Sequence, residues 1–209
     1  MRKFAKVSHV AIVVVPVCLL IIVLLGISQA YLARWRAEQF LAVLEKIQVG
    51  TTKVDTAYEM VRPFHSYMPD TTNNNHLQLG LNFDNHGLVL LRLAPYTEFR
   101  VSITFMDGVV VEKQAREFQA ASGCGARVDE KLRGLGFSGG IAPNGYPNHI
   151  IHSVPPDFPG IARHSSIEDD NTYGEAQRHA DWNFNLSCIT RFRGCADARL
   201  MLPDARPTE

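Results

Sequence analysis

The chain has 209 residues, with 21 basic and 21 acidic side chains, 46% hydrophobic residues and 9% aromatic ones. That apolar content excludes a mostly disordered chain, and the length fits one globular domain rather than two. Arg2, Lys3 and Lys6 all precede the first acidic residue, Glu38, so the remainder sets 18 basic residues against 21 acidic ones, which excludes a strongly basic nucleic-acid binder.

Residues 10–27 form an uncharged apolar run of 18 residues. Widened to 7–31, the segment reaches 25 residues, interrupted clearly only by Ser8, His9, Ser28 and Gln29. A helix needs about 20 apolar residues to cross the hydrocarbon core, and it tolerates a proline such as Pro16 there. Two readings compete: a retained single-pass anchor, and a signal peptide cut after Ala30 at the small-x-small triplet Ser28-Gln29-Ala30. Signal cores run about 7–15 residues, shorter than this one. Tyr31, Arg34, Trp35 and Arg36 then form an interfacial belt. The pattern therefore favours an anchor that contacts the lipid bilayer through residues 7–31, followed by a domain over residues 32–209. Lipidation at Cys18 is discounted, because Val17 stands where a small residue is needed. Arg2, Lys3 and Lys6 before the span and Arg34, Arg36 and Lys46 after it leave the charge bias nearly flat. The cysteines carry the orientation instead. A Cys188–Cys195 bridge would need an oxidising compartment, which places the N-terminus in the cytoplasm and the domain outside it, in the cell envelope.

Past the span, residues 32–49 read as a helix with Phe40, Val43, Leu44 and Ile47 on one stripe, closed by Gly50. Thr52 and Asp55 offer a near capping box for a second helix through Val54, Ala57, Tyr58 and Val61, ending before Pro63. Residues 69–75 are a polar loop. Residues 76–83 alternate as a strand with Leu77, Leu79, Leu81 and Phe83 on one face. The run 88–93 reads as a second strand and residues 99–105 as a third. Met106-Asp107-Gly108 turns into a returning strand at 109–111. Residues 115–121 and 128–135 read as short helices, 134–147 as a glycine-rich loop, 149–154 as a strand, 157–180 as irregular, 182–189 as a strand and 195–202 as a terminal helix. The fold class is α+β: an N-terminal transmembrane helix, two helices, an antiparallel meander and a C-terminal helix.

Gly134, Gly136 and Gly139 fit a dinucleotide-binding spacing, and Ser138 between Gly136 and Gly140 fits a nucleophile elbow. Both motifs need a strand before and a helix after, and neither context is present. His149, His152, His164 and His179, with Asp157, Asp169, Asp170 and Asp181 among them, are the metal candidates, yet no zinc-type spacing occurs, so no metal or cofactor is expected. Asn185-Leu186-Ser187 fits a glycosylation sequon. Cys188 and Cys195 enclose six residues, and Gly194 supplies backbone freedom to close the loop, so these two are read as bonded with Cys124 free. The competing pairing links Cys124 to either one. In the bonded arrangement Leu200 and Leu202 would turn inward.

Residues 44–57, LEKIQVGTTKVDTA, resemble the opening of small bacterial envelope proteins of the SmpA/OmlA (BamE-like) family. There a stretch of the form I-x-x-G-x-T-x-x-D/E-V joins two helices ahead of an antiparallel sheet. The resemblance spans residues 40–115 and implies a scaffold with no catalytic residue to carry over. This chain departs from the family in its membrane helix and in its extension carrying Cys188 and Cys195. The sequence reading is a non-enzymatic module for protein interaction or structural support with an envelope protein partner. The alternative is a metal-assisted hydrolase using the late histidines.

Overall fold

The computed structural model describes residues 2–67, 72–73, 76–132, 151–153, 164–170 and 180–203. One helix, α1 (Arg2–Leu44), holds 43 residues without a break, Pro16 included. At 1.5 Å per residue it is about 65 Å long. It is the one helix, among the described residues, long and apolar enough to cross a membrane. Its two halves differ in exposure. Val13, Leu19, Ile21 and Leu25 are exposed, whereas Ala30, Ala33, Ala37, Phe40, Leu41 and Leu44 are buried. Those six recur at three- and four-residue steps, the spacing of a stripe laid on a core.

The helix stops at Leu44, short of the expected Val49. The chain tightens there, with Lys46 and Ile47 donating to the carbonyls of Val43 and Leu44, and Gly50 at φ 85° then donates to Val110 O. Lys53 pairs with Val109, so this connection lies against the sheet. Thr52 therefore does not cap α2 (Val54–Val61). Its hydroxyl accepts from Gln48 N at 2.8 Å, and Lys53 is the N-cap, with no side-chain bond. A 3₁₀ turn, Arg62–Tyr67, follows.

Among the described residues the sheet has seven strands in the order β1-β2-β3-β4-β5-β7-β6: β1 (Thr72–Asn73), β2 (His76–Asp84), β3 (Thr97–Met106), β4 (Val109–Gln119), β5 (Cys124–Lys131), β6 (Ile151–Ser153) and β7 (His164–Asp170). Strands β2 to β5 form an antiparallel meander, β7 pairs parallel to β5, and β6 pairs antiparallel to β7. Asp107 and Gly108, both at positive φ, make the β3–β4 turn, as a two-residue hairpin requires.

Several expectations change. The run 88–93 is no strand: His86–Leu90 is a short helix, α3. Asn85 holds this excursion closed, its Nδ2 donating to Pro95 O at 2.9 Å and its Oδ1 accepting from Thr97 N at 2.9 Å. Residues 115–119 and 128–131 are strand, not helix. β7 crosses a stretch read as irregular. Residues 182–189 form no strand, because Asn185 N donates to Met201 O and a 3₁₀ turn, Leu186–Thr190, follows. The terminal helix reduces to one 3₁₀ turn, Ala198–Leu200, capped by Asp197. Met201 and Leu202 turn inward there, while Leu200 stays exposed.

One face of the meander packs against the C-terminal half of α1, α2 and residues 182–202. The core is aromatic: Phe40 meets Phe64 edge-on at 5.0 Å, Phe83 bridges Phe40 and Phe99, and Phe99 meets Phe184 at 5.2 Å. At the opposite end α3 docks on α1. Gln29 Nε2 donates to Asp84 O at 3.1 Å, and Gly87 N donates to Gln29 Oε1 at 3.0 Å.

Candidate functional site

The inward face of β4 is where the chemistry collects. Side chains alternate along a strand, so Lys113, Ala115, Glu117 and Gln119 all point into the core, and all four are buried. Lys113 donates through Nζ to Leu44 O at 3.2 Å and Ile47 O at 3.0 Å. It also meets Glu130 Oε2 of β5 at 2.9 Å and lies 4.8 Å from the Trp182 ring centroid. The last carbonyls of a helix lack partners within the helix and carry the negative end of its dipole. The last turn of α1 carries no basic residue of its own. The sheet supplies one, so Lys113 is a cap delivered from another element.

Two steps along the same face sits Glu117, wholly buried. Neither of its oxygens has a hydrogen-bond partner among the described residues. Burial pushes its pKa well above the ordinary 4.5, and the guanidinium groups of Arg34 and Arg191 draw it back only in part. Gln119 closes the row: its Oε1 accepts from Cys195 N at 2.6 Å. Gly194, at φ 62°, lies so close to the Gln119 amide that a Cβ there would collide with it.

On the outward face Asp129 meets Arg127 at 2.6 Å and accepts from Gln114 Nε2 at 2.6 Å. Desolvation nevertheless raises its pKa. Glu98 receives Arg100 at 3.2 Å and Arg116 at 3.3 Å. These groups fix strand to strand. The inward row fixes α1 at one end and the C-terminal segment at the other.

Of the residues singled out from sequence, Cys188 and Cys195 are bonded, with Cα atoms 5.4 Å apart. Cys124 is a free, buried thiol that donates to Ala196 O at 2.9 Å, beside the bridge but outside it. Cys18 is free and exposed on α1. His152 pairs in register with Ser165 and His164 with Ser153, so they occupy neighbouring rather than facing positions. Asp169 and Asp170 lie on β7, and Asp181 is buried. His149, His179, Asp157 and the glycine motifs over residues 134–140 lie outside the described residues. Among the described residues, no three His, Cys, Asp or Glu side chains are grouped so as to hold a metal ion. The sequon asparagine is engaged: Asn185 Nδ2 donates to Leu200 O at 2.8 Å and its Oδ1 accepts from Ser187 N at 3.3 Å.

The row of Lys113, Glu117 and Gln119 was not recognised as a site from sequence. The turn at Asp107 and Gly108 alone would set Lys113 opposite Ser102, and it takes the register shift between Thr104 and Phe105 to bring Lys113 opposite Ile103 and Glu117 opposite Phe99, so the strand itself carried no signal for the row. Compared with family models, with curated proteins and with solved structures, the chain matches none.

Proposed function

We propose that this chain is a single-pass membrane protein of the cell envelope whose α+β domain serves as a non-enzymatic interaction or structural module outside the cytoplasm. The observation that carries the reading is α1. The same unbroken helix that holds the apolar run enters the domain core, where Ala30 is fully buried and Gln29 is bonded at both ends of its amide. Cleavage after Ala30 would cut a packed helix in mid-course and release Gln29 from the β2–α3 corner. A cleavable signal would instead leave an end that the domain does not use. The Cys188–Cys195 bridge supports an oxidising location for the domain. Among the described residues the buried polar groups hold one element to another, as a scaffold's would, and the BamE-like resemblance of residues 44–57 implies the same role.

A partner would meet exposed groups on the domain, among them Arg100 and Arg116 on the outward face of the sheet and Phe192 in the loop closed by the Cys188–Cys195 bridge. Photo-crosslinking residues placed at these three positions in the full-length chain, in native membranes, test the reading. A discrete protein adduct from at least one position is expected. Absence of any adduct from all three, with the protein folded and in the membrane, would count against an interaction module.

A further inference from the structure

We propose that α3 and the turn behind it, residues 86–94, are a second membrane contact, immersed in the bilayer interface alongside α1. This rests on the reading of α1 as a retained span. Three observations carry it. The first is depth. Gly26, within the apolar run, packs backbone to backbone on Gly87, and a Cβ on Gly87 would stand 3.0 Å from Gly26 Cα. A Cβ on Gly26 would collide with the Leu91 side chain. Small residues of this kind allow helices to approach closely in membranes. Gly26 precedes Tyr31 by five residues and Trp35 by nine, or about 8 and 13 Å along the helix. Tyr31 and Trp35 are 58% and 49% exposed and suit the headgroup level. With the belt there, α3 lies on its membrane side.

The second is surface. Leu90 is 70% exposed, the most exposed of the large apolar side chains, and Val89, Leu91 and Leu93 are only partly covered. A water line at Gly26 would leave Leu90, Tyr31, Leu32 and Trp35 all in water. A line above α3 places all four at the interface or in hydrocarbon. Arg92, exposed at the end of the turn, has a stem long enough to bring its charge to the headgroups.

The third is the backbone. Lipid accepts irregular chain only where its polar groups are satisfied internally. The N–H groups of Asn85, Gly87, Leu88, Val89, Arg92 and Leu93 all donate to acceptors within this corner or to Gln29.

The occupant is the bilayer itself, since the patch is continuous with the span. Single cysteines carrying an environment-sensitive fluorophore, in full-length protein in phosphatidylcholine vesicles, test this. Leu90→Cys and Thr56→Cys are made in a Cys18→Ser background, and the native Cys18 is labelled in the unaltered chain. Thr56 lies on α2, whose Val54 N donates to Gly108 O at the far end of β3. The expected result is quenching of the residue-90 label by nitroxide on lipid acyl chains, with iodide quenching on the order of threefold or more weaker than at residue 56. Iodide quenching at residue 90 equal to that at residue 56 would overturn the proposal. The Cys18 label separates the two claims: lipid-buried at 18 but aqueous at 90 sinks only the second contact, and aqueous at both sinks the span as well.

Discussion

Lys113 is worth most as half of a pair. Its ammonium is buried with Glu130, so removing one partner strips the other of an opposite charge inside the core, which costs about 3–5 kcal/mol. Replacing both by apolar groups of similar volume costs far less. Lys113→Met is therefore expected to lower the stability of the domain by about 3–5 kcal/mol, measured by denaturant unfolding of the full-length protein in detergent. The Lys113→Met, Glu130→Leu pair is expected to recover most of that loss. The recovery is incomplete, because the carbonyls of Leu44 and Ile47 stay uncapped. Equal losses in the single and double variants would contradict the assignment.

Glu117 yields a pH dependence of definite sign. Its pKa is raised in the folded protein. Below the ordinary value of 4.5, both folded and unfolded chains hold the proton, and the shifted titration takes nothing from stability. As pH rises from there, the unfolded chain releases its proton first and stability falls, until the folded pKa is passed. Asp129 adds a smaller change of the same sign. Glu117→Gln keeps the shape and removes the titration. Its unfolding free energy is expected to match the parent near pH 4 and to exceed it at pH 7 and above, read from denaturant unfolding at a series of pH values. A variant less stable than the parent at every pH would show that the carboxylate has a partner it needs.

At the level of elements, the sequence was legible where burial followed one rule. Strands β2 and β3 alternate apolar and polar, with Leu79, Leu81 and Phe83 and then Phe99, Val101, Ile103 and Phe105 all buried, and the Asp107-Gly108 turn is plain. β4 and β5 were misread because their inward faces carry Lys113, Glu117, Gln119 and Glu130, which erase the alternation. Those residues are polar because the ends of α1 and of the C-terminal segment need partners, a demand invisible in the strand itself. The run 88–93 failed for the opposite reason. Continuous apolar character reads as a buried strand, yet here it reflects docking on Gly26 of a distant helix. The C-terminal segment kept its alternation at Trp182, Phe184 and Leu186, all buried, while its backbone bonded to Met201 rather than to a strand.

The Cys188–Cys195 bridge closes a short loop at the Gln119 end of the row, and on the chain-entropy view it contributes about 2.5 kcal/mol. Reduction should lower stability by roughly that amount. Gly194→Ala should lower it further, because the residue sits at φ 62° and a Cβ meets Gln119. Thermal unfolding with and without reductant, in parent and variant, measures both. An unchanged midpoint on reduction would show that the bridge fastens nothing.

At the scale of the whole molecule, α1 runs unbroken from an exposed apolar stretch into the domain core. Residues 13–22 are exposed, and the second half of the helix is the domain's central packing element. Phe40 and Leu44 are wholly buried, and Lys113 caps the helix end. No linker separates the apolar run from the packed half of the helix. Under the function proposed above, such a helix would hold the outward sheet face at a fixed height over the bilayer, as a scaffold requires.

The central claim is that this helix is retained whole. N-terminal sequencing of the protein extracted from carbonate-washed membranes tests it most directly. A membrane-bound chain whose N-terminus lies upstream of Val10 is the result this account requires. A carbonate-soluble chain beginning at Tyr31 would contradict it.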